Sequence, residues 1–302
     1  MVYTSHSFWQ KVVATTQSAL DEGALQPIST QLKIVPDQGI PFAVRIVDSL
    51  NRKEIAQKKR QSQPKDKPFN PFLPYEEALL VEDLSPSHVC LLNKFNVVDH
   101  HLLIVTREYQ SQDSWLNYSD FEALVRCLLV ADGLGFYNGG YEAGASQHHK
   151  HLQLIPLNSS DGTEELPISG IIRDQKDDWQ IHQRLPGLPF WHSLYELPLQ
   201  WNESNLNAIS DRLLRTYQQI MADLGMNLQG EAPDAPYNLL ITRDWMMGIR
   251  RSQASYQGIG VNSLGYGGWL LVKTAADLEK LKHIGPMNLL QQVGYPPPAS
   301  DR

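Results

Sequence analysis

Residues 135–158 read GFYNGGYEAGASQHHKHLQLIPLN. The stretch carries apolar residues near both ends, and its first half is rich in glycine. A strand entering a loop and a second strand leaving it is the simplest reading. His149, His151 and Gln153 stand at i, i+2 and i+4, so a strand places their side chains on one face. Leu152 and Leu154 then point the other way, into a core. Strict alternation puts Lys150 on the leucine side, unless the regular strand begins after it.

Working outward, 77–83, 88–95 and 100–106 are rich in Val and Leu and separated by Pro, Ser, Asn and Asp, which predicts three successive strands. Residues 119–134 predict a helix, with Ser119 as N-cap and Glu122 completing a capping box. Further upstream, 7–24 reads as a helix, and 30–35 and 42–48 as short strands. Downstream come a strand at 191–199, an amphipathic helix at 204–224, strands at 237–245, 256–262 and 268–273, and a short helix near 275–283. The strands often adjoin one another and helices are few. That predicts an α+β fold with a mostly antiparallel sheet and flanking helices, not a doubly wound parallel sheet. The chain holds no GxGxxG opening a helix and no GxxxxGK loop.

Two stretches stand apart. Residues 51–68, NRKEIAQKKRQSQPKDKP, form a flexible basic segment: a solvated connection, or a loop that folds over phosphates using Arg52, Lys53, Lys58, Lys59 or Arg60. Residues 159–187 are polar and irregular and suit an insertion or a lid.

The net charge of −7 over 302 residues speaks against a general nucleic-acid binder, while leaving room for a locally positive pocket that takes a small polyanion. The two cysteines, Cys90 and Cys127, sit in apolar surroundings and read as buried thiols; with no CxxC pair, neither a thiolate zinc site nor a disulfide framework is expected. No secretory leader and no membrane-spanning apolar run is visible, so a cytoplasmic protein is expected.

Three chemistries fit the histidine cluster. His149 and His151 could share a metal, though a third ligand is needed and Gln153 is a poor one. The polar side chains could form a structural network satisfied by backbone. Or a neutral imidazole could attack phosphorus, form a labile phosphoramidate, and so split one transfer into two steps. On that last reading Gln153 donates an amide hydrogen to a phosphoryl oxygen, the N–H groups of GGYEAGASQ form an anion nest, and Asn138 and Ser146 add donors. Lys94, Arg243, Arg250 and Arg251 are candidate cations for the charge that develops.

AGASQHHKHLQLIP resembles the active-site signature of the histidine-triad superfamily in its His-x-His-x-Gln branch, and within it the diadenosine tetraphosphate phosphorylase (ATP adenylyltransferase) family. NPFLPYEEALLVEDL (70–84), LLNKFNVVDHHLLIVT (91–106), APYNLLITRDWMMGIRRS (235–252) and GIGVNSLGYGGWLLVK (258–273) resemble further segments of that family in order. The resemblance implies a histidine-triad-like fold related to galactose-1-phosphate uridylyltransferase. It implies one catalytic unit over 1–302, with a C-terminal signature region at 235–273. It assigns His151 as the nucleophile that receives AMP, His149 as its orienting partner, and Gln153 as the phosphoryl-binding group. Asn93, Lys94, Asn138, Gly144, Ala145, Ser146 and Gln147 line the nucleotide and phosphate path, joined by Arg243 and Arg250. His148 stands where the family often has Pro, which leaves its role open.

The activity implied is reversible phosphorolysis of diadenosine tetraphosphate to ATP and ADP. The partners implied are nucleotides and orthophosphate, with no nucleic acid and no membrane. No tightly bound cofactor and no protein metal site are expected; magnesium or another divalent cation enters with the substrate's phosphates. A hydrolase of the same substrates, a hexose-1-phosphate uridylyltransferase (against which Lys150 between the histidines speaks), a nucleotide-binding module without chemistry and a metal-binding structural protein stay as alternatives.

Overall fold

A computed structural model of the chain describes residues 5–48, 70–157, 165–174 and 185–298. The basic segment 51–68 lies outside the described residues, as do 159–164 and 175–184 of the polar stretch.

One eight-stranded sheet organises the molecule, in the order β3-β4-β5-β7-β6-β9-β10-β8. Its strands are β3 (Leu80–Ser85), β4 (His88–Leu92), β5 (Leu102–Thr106), β6 (Gly133–Gly139), β7 (His151–Pro156), β8 (His192–Glu196), β9 (Tyr237–Ile241) and β10 (Trp245–Arg250). Every neighbouring pair in it is antiparallel. The central strands are buried on both faces, which explains why β4, β5, β6 and β9 read as near-continuous apolar or small-residue runs instead of alternating ones. A second sheet joins β1 (Thr30–Asp37), β2 (Ile40–Val47) and β13 (Trp269–Val272), with β13 parallel to β2. β11 (Ser255–Tyr256) and β12 (Ile259–Gly260) make a small hairpin.

Each face of the large sheet has its own core. On one face, Leu152, Leu154, Ile104 and Tyr137 join side chains of α1 (Ser5–Asp21), α2 (Tyr118–Leu128) and α4 (Leu206–Asp223). On the other, Leu134, Phe136, Ile155 and Met247 join the three-stranded sheet with α6 (Ala275–Ile284) and α7 (Pro286–Val293). Two short helices, α3 (Ser169–Asp174) and α5 (Ser263–Tyr266), complete the described α-helices.

Four local readings need correction. Residues 256–262, read as one strand, belong to the β11–β12 hairpin, which turns at Gln257 and Gly258, both with positive φ. The cap of α2 is Asn117, not Ser119: its side chain accepts from the N–H groups of Ser119 and Asp120, and Asp120 closes the capping box by accepting from Asn117 N–H. The helix also ends at Leu128, because β6 starts at Gly133, where a Cβ would meet Ile155 O at 2.6 Å. The stretch 237–245 is not one strand; Thr242 Oγ1 accepts from the N–H groups of Asp244 and Trp245 and turns the chain between β9 and β10. Helix α7 has no counterpart in the sequence reading.

Candidate active site

β6 and β7 pair in register from Gly133↔Pro156 to Phe136↔Gln153 and then separate. The carboxamide of Gln112, only 2% exposed, fills the opening. Its Nε2 donates to Asn138 O at 2.9 Å and to His151 O at 3.3 Å, and its Oε1 accepts from His151 N–H at 2.9 Å. A side chain thus supplies the missing rung of the sheet and holds the backbone of His151 on both sides.

His151 and Gln153 share a sheet face with Val105 and Leu103, their cross-strand partners, and with Phe136, which opposes Gln153. His149 stands just before the strand, bridged to Ser111. Its ring is fully used. Asn70 Oδ1 accepts from Phe72 N–H, which turns Asn70 Nδ2 toward His149 Nδ1 at 3.1 Å. His149 Nε2–H then donates to Thr106 O at 2.7 Å, with Thr106 Oγ1 at 2.9 Å. The proton positions follow from the partners: a nitrogen facing an amide donor is bare, and one facing a carbonyl carries hydrogen.

The same logic fixes His151. Its Nδ1 is 2.8 Å from the carbonyl oxygen of His149, so Nδ1 carries the proton and Nε2 holds a lone pair. Nε2 has no hydrogen-bond partner among the described residues. Phe72 packs on the ring, centroids 5.3 Å apart. Burial, opposed by the His149 carbonyl, pushes the imidazole pKa down to about 4, so the ring is neutral at physiological pH.

Gln153 is joined to a second relay. Asn93 Oδ1 accepts from Phe95 N–H at 3.3 Å, and Asn93 Nδ2 lies 3.1 Å from His101 Nδ1. His101 Nε2 lies 3.0 Å from Gln153 Oε1. Burial outweighs the Gln153 contact and lowers His101 to about 4.

Lys150 obeys the alternation and points to the opposite face, into the core. Only 1% exposed, its ammonium donates to Asp120 Oδ2 at 2.9 Å, Trp115 O at 2.8 Å and Gln110 Oε1 at 3.2 Å. Asp120 also accepts from His88 Nε2 at 3.0 Å. Burial alone raises this carboxyl, but His88 and Lys150 outweigh it and hold it below its usual range.

Several sequence candidates take other places. Asn138 is buried behind the loop, its Oδ1 accepting from Asn238 Nδ2, Ser263 N–H and Ser263 Oγ–H. Gly144 and Ala145 spend their N–H groups on Tyr141 O and Gly140 O, which removes both as donors from the expected anion nest. Gly144 has φ of 91°, and a Cβ there would meet Val261 O at 2.8 Å. Lys94 pairs with Glu76 at 2.5 Å.

The arginines bond carbonyl oxygens of the fold. Arg243 donates through Nε and Nη2 to Leu128 O at the end of α2. The register Gly135↔Ile241 puts it beyond the Gly133 end of β6, opposite the His151 end. Arg250 is at the His151 end but three strands from β7, roughly 14 Å at the usual spacing. It donates to Leu224 O and Gly225 O and lies over the rings of Trp191 and Tyr295. Arg251 is fully buried and binds Asn238 Oδ1, Val261 O, Val293 O, Gln253 O and Ala143 O.

Sequence reasoning missed Asn70, Phe72, His101 and Gln112 as parts of the site. Asn70, Phe72 and His101 lie in the segments 70–84 and 91–106 that resemble the family's, and Gln112 lies in none. Among the described residues, no group of three or more His, Cys, Asp or Glu side chains could hold a metal ion. No described helix is long and apolar enough to cross a membrane.

Comparison with known proteins bears on the same chain. The family model described as the Ap4A phosphorylase N-terminal domain matches residues 1–174, and that of the ATP adenylyltransferase C-terminal domain matches 186–296. Diadenosine 5',5'''-P1,P4-tetraphosphate phosphorylase 2 of Saccharomyces cerevisiae is 31% identical over 296 residues, covering 88% of this chain and 87% of that protein. Protein APA1 of the same yeast is 27% identical over 315 residues, covering 93% and 92%. The crystal structure of yeast Ap4A phosphorylase Apa2 superposes with a TM-score of 0.77 at 27% identity, covering 99% of this chain and 100% of that one. Its complex with Ap4A gives 0.71 at 25% identity over the same shares. With a matching domain model over more than half its length and a relative that spans nearly all of it, the chain belongs to the Ap4A phosphorylase family.

Proposed function

We propose that this protein phosphorolyses diadenosine tetraphosphate to ATP and ADP, reversibly, through an adenylylated His151. The observation that carries the reading is the bare Nε2 of His151, whose other nitrogen is committed to the His149 carbonyl. The yeast relative's name gives the substrate.

His151 Nε2 attacks the α-phosphorus, the Nε2–P bond forms, and the P–O bond to the departing ATP breaks. Because Nδ1 keeps its proton, the adenylylated ring is cationic, and the His149 carbonyl stabilises that charge. A cationic imidazole is a good leaving group, so orthophosphate then takes AMP and leaves as ADP. ATP and phosphate oxygens are already ionised, so neither step needs a general acid or base. Gln153 donates to a non-bridging oxygen, and Ser146 and Gln147 line the phosphate path. Magnesium accompanies the substrate's phosphates. Both matched domains contribute strands to the large sheet, which supports a single catalytic unit.

The test is incubation with diadenosine tetraphosphate, with and without orthophosphate. ATP plus ADP should appear only with phosphate, and without it AMP should accumulate on the peptide bearing His151. ATP plus AMP in its absence would mean that water is the acceptor and would overturn the reading.

A further inference from the structure

An amide can bind a phosphoryl oxygen only with its nitrogen side. Turned over, Gln153 would present its own oxygen to another oxygen and repel it. Gln153 is half-buried on the face of β7 that carries His151, and amide rotation alone does not select one orientation. The selection comes from the far side of the ring of His101. The Phe95 N–H claims Asn93 Oδ1, which leaves Asn93 Nδ2 facing His101 Nδ1. His101 Nδ1 must then be bare, Nε2 must carry the proton, and Gln153 Oε1 must be the atom that meets it. His101 is 7% exposed and packs against Phe136, centroids 5.8 Å apart, so its ring has little room to turn. Each link takes its direction from the one before, and the first is a backbone N–H that cannot invert.

We propose that His101, backed by Asn93, is a positioning residue that fixes the Gln153 amide with its N–H₂ toward the transferring phosphorus. The inference rests on adenylyl transfer at His151. It assigns His101 no contact with substrate; it acts only through Gln153.

This separates it from a residue that merely fills space. Replacing His101 with Gln keeps a donor on a polar side chain, whereas Glu offers only acceptors and would draw the Gln153 nitrogen toward itself. His101→Glu should lower kcat by about 100-fold, the low end of what one lost donor costs at a charged transition state, with KM changed by less than about 3-fold; His101→Gln should lower it by only about 10-fold. In a Gln153→Ala background, His101→Glu should cost less than about 2-fold further, since the group it directs is gone.

The experiment is that double-mutant cycle on diadenosine tetraphosphate turnover, with thermal melting of each variant. It is paired with nitrogen-15 NMR of the histidine rings in the unmutated protein. Non-additive losses and an Nε2–H tautomer at His101 are expected. Losses that multiply, or an Nδ1–H tautomer, would overturn the proposal. If the unmutated protein turns over no dinucleotide, the phosphorolysis reading fails, while the tautomer still decides the direction of the relay.

Discussion

The imidazole of His151 hangs by its Nδ1 from the carbonyl oxygen of His149, 2.8 Å away. The partner that orients the proposed nucleophile is therefore backbone, and the His149 side chain serves to hold that backbone in place through Asn70 and Thr106. Unequal penalties follow. His151→Ala should abolish both half-reactions, a loss of more than about 10³-fold in kcat, while His149→Ala keeps its carbonyl and should lose roughly 10–100-fold. Single-turnover assays of adenylylation separate the two; equal losses would give the His149 ring a direct chemical role.

Gln112 holds His151 through both backbone groups, so Gln112→Leu leaves an N–H and two carbonyl oxygens without their partner. We expect about 2–4 kcal/mol lost in stability and a fall in kcat larger than any change in KM. Urea unfolding and steady-state kinetics read these; a change confined to KM would place Gln112 at the substrate instead.

Lys150→Met removes the cation beside buried Asp120 and should destabilise the protein by about 3–5 kcal/mol. Adding Asp120→Asn should recover part of that, because the uncompensated charge is gone. Denaturation midpoints of the two single variants and the double variant measure the coupling, and strict additivity would contradict it.

Arg243→Ala should lose about 1 kcal/mol, as its bonds to the Leu128 carbonyl disappear, with kcat per folded molecule unchanged. A large drop in kcat with stability retained would return Arg243 to the phosphate path.

Acid should unfold the protein in a definite window. His101 and His151 are held down to about 4 from their usual 6.5 by burial. Below 6.5 the unfolded chain takes up protons that the folded chain refuses, so stability is full above that pH and falls toward 4. Melting temperature should drop by several degrees across the window, and His101→Gln should flatten the slope. A melting temperature constant from 6.5 to 4 would contradict the burial of these rings.

The sequence read best where periodicity and chemistry coincide. The one-face arrangement of His151 and Gln153, with Leu152 and Leu154 opposite, follows from a period of two and holds in the fold, whereas His149, read onto the same strand, stands just before it. The strand-rich, antiparallel architecture followed from adjacent apolar runs. Sequence alone does not place the arginines: a cation near a signature looks the same whether it binds phosphate or a helix-end carbonyl, and only the sheet register puts Arg243 at the end away from His151. Gln112 and His101 were missed for a different reason. Gln112 lies 39 residues from the histidine it holds and His101 lies 52 from the glutamine it meets, and no local pattern marks such pairings. Helix α7 was overlooked because a proline at its start and a proline-rich stretch beyond it resemble a tail.

The middle of the large sheet has a consequence for how the chain is made. β6 pairs with β9, and the side chains of Asn138 and Asn238 that meet across them are 100 residues apart. A ribosome adding roughly 5–20 residues per second takes about 5–20 seconds to supply that partner. During that interval β7 can already cover one side of β6, but the other is a bare row of peptide groups, open to any strand nearby. Newly made chains are most exposed to mispairing in this window, and slowing translation between 139 and 237 should lower the yield of native protein without changing one residue of it.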